Sequence, residues 1–553
     1  MDPVGALLTQ VELTLPDTRQ QLRKLKTRVA EQTRTPLIAN DALLKRYRQE
    51  LAGGMRQANK PLERILMLNA IRSTSGIATV TVITEPYACP GRCVYCPTET
   101  RAPKSYLANE PAVMRAIRND YDPYRQVTSR LKALHDTGHA TDKIELIIKG
   151  GTWSFYPERY QRWFIQRCVD AANDFGEGSR VEGERDNGSG PSPFTLHPSP
   201  LAEAHQRNET AAHRIIGVTI ETRPDYVDET EIRRLRELGV TRVELGAQIL
   251  NDRILELIVR DHTTVEIRQA TQLLRDAGFK VAYHIMPNLP GATLEDDLAS
   301  FRGLFEDPAY RPDTLKLYPC VVVKSAELYQ WWQDGRYQPY DDDTLVELLI
   351  AMKRLVPPYV RIERVIRDIP STSIQAGCKI TNLREEVQRR MRVKGLRCRC
   401  IRCRQVRDGA PGTFTLVRRD FEASGGQEAF LSFEDAATDR LACLLRLRFP
   451  SPLRNHHPHW MSVLEGAALV RELHTYGHHV GIHQHADDAA QHRGFGKRLI
   501  EEAERIASQE WGCARIAVIA GVGVREYYRR LGYDLRDTYM VKEFESTRSC
   551  NGC

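Results

Sequence analysis

Between residues 77 and 318, short runs of β-branched and apolar residues recur, each followed by a stretch whose apolar positions lie three to four residues apart. That alternation is the pattern of chained strand–helix units. It predicts strands at 77–84, 144–149, 215–220, 242–248, 279–286 and 314–318. Between them, Asp228 with Glu231 and Thr263 with Glu266 have capping-box spacing, and Gly239 and Gly278 stand where helices end in a left-handed residue. The expectation is an α/β fold containing a partial (βα)6 TIM-like barrel, two units short of a complete one.

The pattern breaks in three places. Residues 177–210 are rich in Gly, Pro, Ser and mixed charge, too polar to bury and too long for an ordinary loop, and predict a disordered surface insertion. Past Pro370 a Cys/Arg-rich stretch interrupts the alternation. From Thr413 the texture changes again, with antiparallel strands predicted at 413–422 and 427–434 and an amphipathic helix at 495–507. A chain of 553 residues exceeds one hydrophobic core, so several domains are required. The divisions are a basic N-terminal segment (1–75), the barrel (76–370), a Cys/Arg-rich linker (371–411), a C-terminal α/β domain (412–546) and a disordered tail (547–553).

With 41% hydrophobic and 27% charged residues, the chain is neither wholly disordered nor fibrous. No apolar run approaches the roughly 18 residues of a membrane span, and Asp2, Glu12 and Asp17 do not fit a signal or transit peptide. A cytoplasmic protein without membrane contact is expected, and a homodimer is left open. The net charge of +7 is concentrated in the N-terminal segment, including Arg23, Lys24, Lys26, Arg28, Lys45 and Arg46, and in 384–407, including Arg397 and Arg399. Such clusters suit phosphate backbones, and a solvated helix face is the alternative.

Thirteen cysteines in a long chain without a signal read as metal ligands or buried thiols. Cys89, Cys93 and Cys96 follow the first strand in C-x3-C-x2-C spacing, with Tyr95 before the last. Three thiolates on one loop can hold three irons of a 4Fe–4S cluster and leave the fourth open to substrate, whereas structural zinc wants a fourth protein ligand. At the top of a βα barrel this matches the signature of radical S-adenosylmethionine (SAM) enzymes. Lys149, Gly150 and Gly151 end the second strand, where a Gly pair lets backbone approach SAM. Thr219, Glu221, Arg223, Gln248, His284 and Lys316 put polar groups at or near the ends of later strands.

Cys398, Cys400 and Cys403 form a second group, C-x-C-x2-C, embedded in arginines. Zinc is the cation such a thiolate-rich site favours, with Cys378 or Cys320 as the open choices of fourth ligand, and three reduced thiols are the alternative. Near the C-terminus, Gln491, Arg493, Gly494, Phe495, Gly496 and Lys497 match Q/R-x-x-G-x-G/A at a helix start, which cradles a pyrophosphate. A strand, then Gly521 and Gly523, then Tyr527 and Tyr528 complete the order of a GNAT acetyl-CoA fold.

A radical SAM barrel joined to a GNAT domain resembles the catalytic subunit of Elongator and its single-chain bacterial and archaeal relatives. The matching phrases include 72–78, 110–118, 121–124, 219–226, 260–263, 284–287, 315–319, 472–474, 521–523 and 527–533. Ala520 stands where the family commonly has Ser. The resemblance implies acetyl-CoA-dependent carboxymethylation of carbon 5 of the wobble uridine in the tRNA anticodon stem-loop. It requires a 4Fe–4S cluster, SAM, acetyl-CoA and an electron donor. It also implies that Lys316 and Gln248 orient SAM, and that His474, Tyr527 and Tyr528 serve the thioester end. Two rivals remain at this point: a lysine acetyltransferase whose iron–sulfur domain is structural, and a tRNA-binding scaffold that needs partners.

Overall fold

The protein is described by a computed structural model, which covers residues 2–67, 76–176, 200–406, 412–477 and 494–545. Of the expected features, 177–199 of the insertion, Gln491, Arg493 and the tail with Cys550 and Cys553 lie outside the described residues, as do residues 72–75.

The six expected strands are present as β1 (Ala78–Ile83), β2 (Lys143–Lys149), β3 (Arg214–Thr222), β4 (Arg242–Gln248), β5 (Lys280–Ile285) and β6 (Thr314–Leu317). The two-residue β7 (Val322–Val323) pairs with β9 (Ile374–Ala376), and between them β8 (Arg361–Arg364) joins β6. The main sheet is therefore seven-stranded, all parallel, in the order β1-β2-β3-β4-β5-β6-β8, an open half-barrel with one strand more than expected. β8 escapes the periodicity because it reads Arg-Ile-Glu-Arg, and Glu363 is bonded to Arg242 of β4 at 2.5 Å rather than packed among apolar groups. The end of the polar stretch also departs from expectation. Residues Leu201–Asn208 are a helix with Leu201, Ala204, His205 and Asn208 buried, and Asn208 bonds Asn173 at 2.7 Å. Its apolar positions were too few to outweigh the polar composition around them.

The N-terminal segment is four helices, Pro3–Thr14, Arg19–Thr33, Asn40–Ala52 and Lys60–Leu66, with a small core of their own around Leu7, Leu22, Leu43 and Tyr47. Beyond the half-barrel, helix Leu383–Val393 packs on helix Asp342–Leu355. The C-terminal domain is a second seven-stranded sheet. Its strands are β10 (Thr415–Ala423), β11 (Gly426–Asp435), β12 (Arg440–Phe449), β13 (Ala467–Thr475), β14 (Arg515–Val518), β15 (Asp534–Arg536) and β16 (Tyr539–Glu543). They are ordered β10-β11-β12-β13-β14-β16-β15, and only the β13–β14 pair is parallel. Helix Phe495–Arg505 sits where it was expected.

The second domain closes the N-terminal face of the half-barrel. Arg471 on β13 is fully buried and grips Asp313, just before β6, through both guanidinium nitrogens at 2.7 and 2.9 Å. Glu428 on β11 accepts from Arg275 of the barrel at 2.9 Å and from Arg471 at 2.9 Å, and Arg448 clasps Asp276 at 2.6 Å. At the start of β5, Lys280 reaches Glu472 at 2.6 Å. Gly521 and Gly523 lie against β3, where a Cβ on Gly521 would stand 2.1 Å from the Ile216 carbonyl oxygen and one on Gly523 3.0 Å from the backbone of Arg214 and Ile215. These glycines, expected at the cofactor, are thus accounted for by contact between the domains. Gly521→Ala is expected to lower stability by about 1–3 kcal/mol, since the obstacle is backbone and cannot swing away. A melting curve indistinguishable from that of the unaltered protein would contradict the assignment.

Candidate active site

The C-terminal ends of β1 to β3 carry the cysteine loop and the groups around it. The loop is tied down by backbone bonds from Val94 to Ile258, from Leu328 to Val94 and from Thr98 to Ser325. Cys93 is buried and receives a bond from Arg260 Nη1 at 3.4 Å, while Cys89 Sγ lies 3.8 Å from Thr152 Oγ1. Burial pushes the Cys96 thiol up to about 12, and repulsion from Cys93 and Cys89 adds to it. Three thiols on one loop beside a fixed guanidinium, with the Cys96 thiol pushed up by burial, are a donor set that fits an iron–sulfur cluster, whose positive irons would reverse that penalty. Gly91 is forced by the same crowding, since a Cβ there would lie 2.5 Å from Arg223 Nη1 and 3.7 Å from Cys93 Sγ.

Below this rim the half-barrel is filled with charge. Glu244 on β4 is fully buried and accepts from Lys149 at 3.3 Å, from Arg242 at 2.6 Å and from Lys316, and it bonds His284 Nε2 at 2.8 Å. Burial alone would raise its pKa; Lys149, Lys316 and Arg242 overcome that and hold it well below the carboxylate range. Burial pushes Lys316 down to about 8 against the pull of Glu244. Lys149 also reaches Glu221 at 2.9 Å, and Glu221 accepts from the Gly150 amide at 3.2 Å and from Tyr106 at 2.5 Å. The expected residues Lys149, Glu221, His284 and Lys316 are thus brought together, around a carboxylate the sequence did not single out. Gly150 is needed for a different reason than the one expected: its φ is +144° and a Cβ would overlap Thr84 Oγ1. Gly151 shares the left-handed region at +88°. Gln248 ends β4 with φ +67° and a buried Oε1 that has no hydrogen-bond partner among the described residues, an unsatisfied group of the kind a ligand satisfies.

The column continues downward. Arg242 joins Glu244 to Glu363 and Glu145, and Arg361 reaches the Tyr476 hydroxyl of β13's end at 3.2 Å. His474 stacks on Tyr476 at 4.2 Å, and burial lowers its pKa to about 3, so it is neutral. Polar groups therefore run from the cysteine loop through the half-barrel to the C-terminal sheet.

The glycine loop lies on the other side of that sheet. Gly494 caps helix Phe495–Arg505 with φ +68°, and among the described residues a Cβ there would meet nothing within 4 Å, which leaves the helix N-terminus open to an anion. A Cβ on Gly496 would be 3.3 Å from Tyr527 Oη, 3.8 Å from Thr475 Oγ1 and 3.9 Å from Leu473. Because side chains alternate along a strand, Leu473 and Thr475 face this loop and His474 faces the barrel with Glu472. The expectation that His474 serves the thioester end is corrected on this ground. Cys443, whose Sγ is 3.0 Å from Thr475 Oγ1, joins the loop side. Tyr527 is half-buried beside the loop, Tyr528 is buried between Tyr527 and Tyr533, Phe495 packs on Phe433 and Lys497 is exposed.

Cys398, Cys400 and Cys403 bring their sulfurs within 4.8 Å of one another. Neither suggested fourth ligand joins them. The Cys320 thiol meets Tyr337 and Cys378 lies by Asp342, and burial raises each to about 12. Among the basic candidates, Arg23, Lys24, Arg28, Lys45, Arg397 and Arg399 are exposed. Lys26 is not available: it is buried with Nζ on Asn40 Oδ1 at 2.8 Å, and Arg46 is engaged by Asp2 and Glu50.

Comparison with known proteins agrees with this geometry. Residues 86–302 match the radical SAM superfamily, 312–393 the radical SAM C-terminal domain and 434–533 the acetyltransferase (GNAT) family. The tRNA uridine(34) acetyltransferase of Dehalococcoides mccartyi is 47% identical over 86% of this chain and 99% of its own length. Human Elongator complex protein 3 is 40% identical over 88% of this chain and 87% of its own. The chain belongs to this Elongator complex protein 3 family. A solved family structure, archaeal Methanocaldococcus infernus Elp3 lacking its first 46 residues, superposes with a TM-score of 0.71, covering 85% of this chain and all of that one at 40% identity. The two domain matches make the chain an enzyme of the radical SAM and acetyltransferase class, with a 4Fe–4S cluster, SAM and acetyl-CoA implied. Among the described residues no helix is long and apolar enough to cross a membrane.

Glu244 is the hub of the site, and its removal tests that. Glu244→Gln keeps the volume but leaves Lys149, Lys316 and Arg242 buried without their shared counter-charge, which is expected to cost about 3–5 kcal/mol. The unfolding midpoint in urea checks this, and an unmoved midpoint would show that the cations are held by other groups.

Proposed function

We propose that the chain carboxymethylates carbon 5 of the wobble uridine in tRNA, taking the two carbons from acetyl-CoA. The observation that carries this reading is that buried ion pairs join the two domains, with a three-thiol loop at one end of a polar column and an acetyl-CoA fold at the other. A structural iron–sulfur domain would not need a column of buried charge beneath it, and this weighs against the lysine acetyltransferase alternative.

When bound, the cluster and SAM would, with one electron from a donor, supply a carbon-centred radical able to remove a hydrogen atom from the acetyl methyl group. Cys89, Cys93 and Cys96 hold the cluster, and Arg260 offsets the thiolate charge at Cys93. Gly151 and Gln248 would hold SAM, the Gln248 Oε1 accepting from its amino group, with Lys149 behind them bonded to Glu221 and Glu244. The Gly494 and Gly496 amides receive the coenzyme A pyrophosphate at the helix N-terminus. Tyr527 and Thr475 stand beside it as hydroxyl donors for the thioester end. Overall, the acetyl methyl carbon gives up one hydrogen atom and forms a bond to C5. The uracil ring then gives up the C5 proton to solvent and the unpaired electron left at C6 to a one-electron acceptor of the iron–sulfur class, and water cleaves the thioester to leave a carboxylate and free coenzyme A.

Zinc is held by Cys398, Cys400 and Cys403, with the fourth position left to a ligand other than Cys320 or Cys378. The exposed Arg23, Lys24, Arg28, Lys45, Arg397 and Arg399 meet the phosphates of the anticodon stem-loop.

The reading is tested with the anaerobically purified protein, a reductant, SAM, tRNA and acetyl-CoA carrying carbon-13 in its methyl group. Digested nucleosides are expected to contain labelled 5-carboxymethyluridine, lost in Cys93→Ala. Acetylated lysine without labelled nucleoside would establish the acetyltransferase alternative instead.

A further inference from the structure

The loops that leave the first three strands of the half-barrel each bring an aromatic ring to the same rim. Tyr87 follows β1 and precedes Cys89 by two residues, Phe155 follows β2, and Tyr226 follows β3. The rings are contiguous: Tyr87 and Phe155 have centroids 6.2 Å apart, and Phe155 and Tyr226 meet edge to face at 5.9 Å. Tyr87 and Phe155 remain 43% and 36% exposed, although Trp153, Tyr156 and Tyr160 next to them are buried. A row of aromatic surface left at the mouth of a reaction site marks a binding surface.

The row is also rigid. Tyr87 stacks on Tyr156 at 5.0 Å, and the Tyr156 hydroxyl is fixed by Thr84 Oγ1 at 2.8 Å and by the carbonyls of Glu85 and Gly150 at 2.9 and 3.0 Å. The Arg223 guanidinium, paired with Asp225 at 2.7 and 2.9 Å and 3.5 Å from Asp261, lies 5.7 Å from the Tyr226 ring centre and braces that ring. On the other side, Tyr87 walls a cavity of about 330 Å³ together with Thr98, Glu99, Thr100 and Lys104, whose Nζ bonds Thr98 Oγ1.

We infer that Tyr87, Phe155 and Tyr226 form a stacking platform for the unpaired RNA bases that neighbour the target uridine. The inference rests on the RNA reading proposed above and adds where the nucleotides lie. A uracil must leave its stack to approach a buried thiol loop, and its neighbours then lose a stacking partner. Aromatic side chains replace that partner whatever the base, because every base has a π face, while cations follow the backbone. Lys104, across the cavity from Tyr87, is placed for the phosphate between two such bases.

The test measures binding of a fluorescein-labelled, seven-nucleotide anticodon-loop RNA to the cluster-loaded protein by anisotropy at one salt concentration. Phe155→Ala and Tyr226→Ala are each expected to weaken binding about fivefold or more, and Phe155→Tyr and Tyr226→Phe to restore it. Phe155→Leu, which keeps apolar bulk but has no ring, should behave like the alanine variant, so a loss due to poor folding is distinguished from loss of stacking. Iron content checks that the cysteine loop is intact in each. Alanine and leucine variants that bind as tightly as the unaltered protein would overturn the platform and leave the proposed function standing. Failure of the unaltered protein to bind either this RNA or whole tRNA would overturn both.

Discussion

The grip of Arg471 on Asp313 sets the geometry of everything else. Both groups are fully buried, and with Glu428, Arg275, Arg446 and Arg448 they form a lattice in which every charge has an opposite neighbour across the domain boundary. A buried charge whose partner is withdrawn is costly, so the lattice resists any separation of the two sheets. The C-terminal sheet is consequently a floor for the half-barrel. The opposite rim carries the cysteine loop.

That arrangement gives the interior charges a purpose. A half-barrel lined with Val and Leu would be cheaper to fold, yet β2, β4, β5, β6 and β8 direct Lys149, Arg242, Glu244, His284, Lys316 and Glu363 inward. Satisfied polar networks hold unique geometry at the expense of tolerance, because any unpaired member is expensive. Here the network spans the distance between a radical-generating site and a coenzyme A fold, which two domains joined only by a flexible linker would not keep fixed.

What could be read from the sequence was local. The C-x3-C-x2-C loop, the second cysteine group, the Gly494–Gly496 turn and the first six strands all declare themselves within a dozen residues. What could not be read depends on a distant partner. Glu244 looks like one more residue of a strand until three groups from other strands, Lys149, His284 and Lys316, converge on it with Arg242 of its own. Gly521 and Gly523 carry the pattern of a cofactor turn but owe their lack of a side chain to β3. His474 lies one residue from Leu473 and Thr475, and only the pairing of β13 shows that it faces the other way. Lys26 sits in a basic run and is nonetheless buried on Asn40, and Cys320 and Cys378 do not fall within the 4.8 Å thiol group they were offered to complete.

The central claim is that the radical site and the acetyl-CoA site act on one and the same acetyl group. It is tested most directly by supplying acetyl-CoA with a fully deuterated acetyl methyl group, together with SAM, reductant and tRNA, and determining the isotopic composition of the 5′-deoxyadenosine released. The account predicts that it carries one deuterium. Unlabelled 5′-deoxyadenosine, formed at the same rate with and without acetyl-CoA, would contradict it.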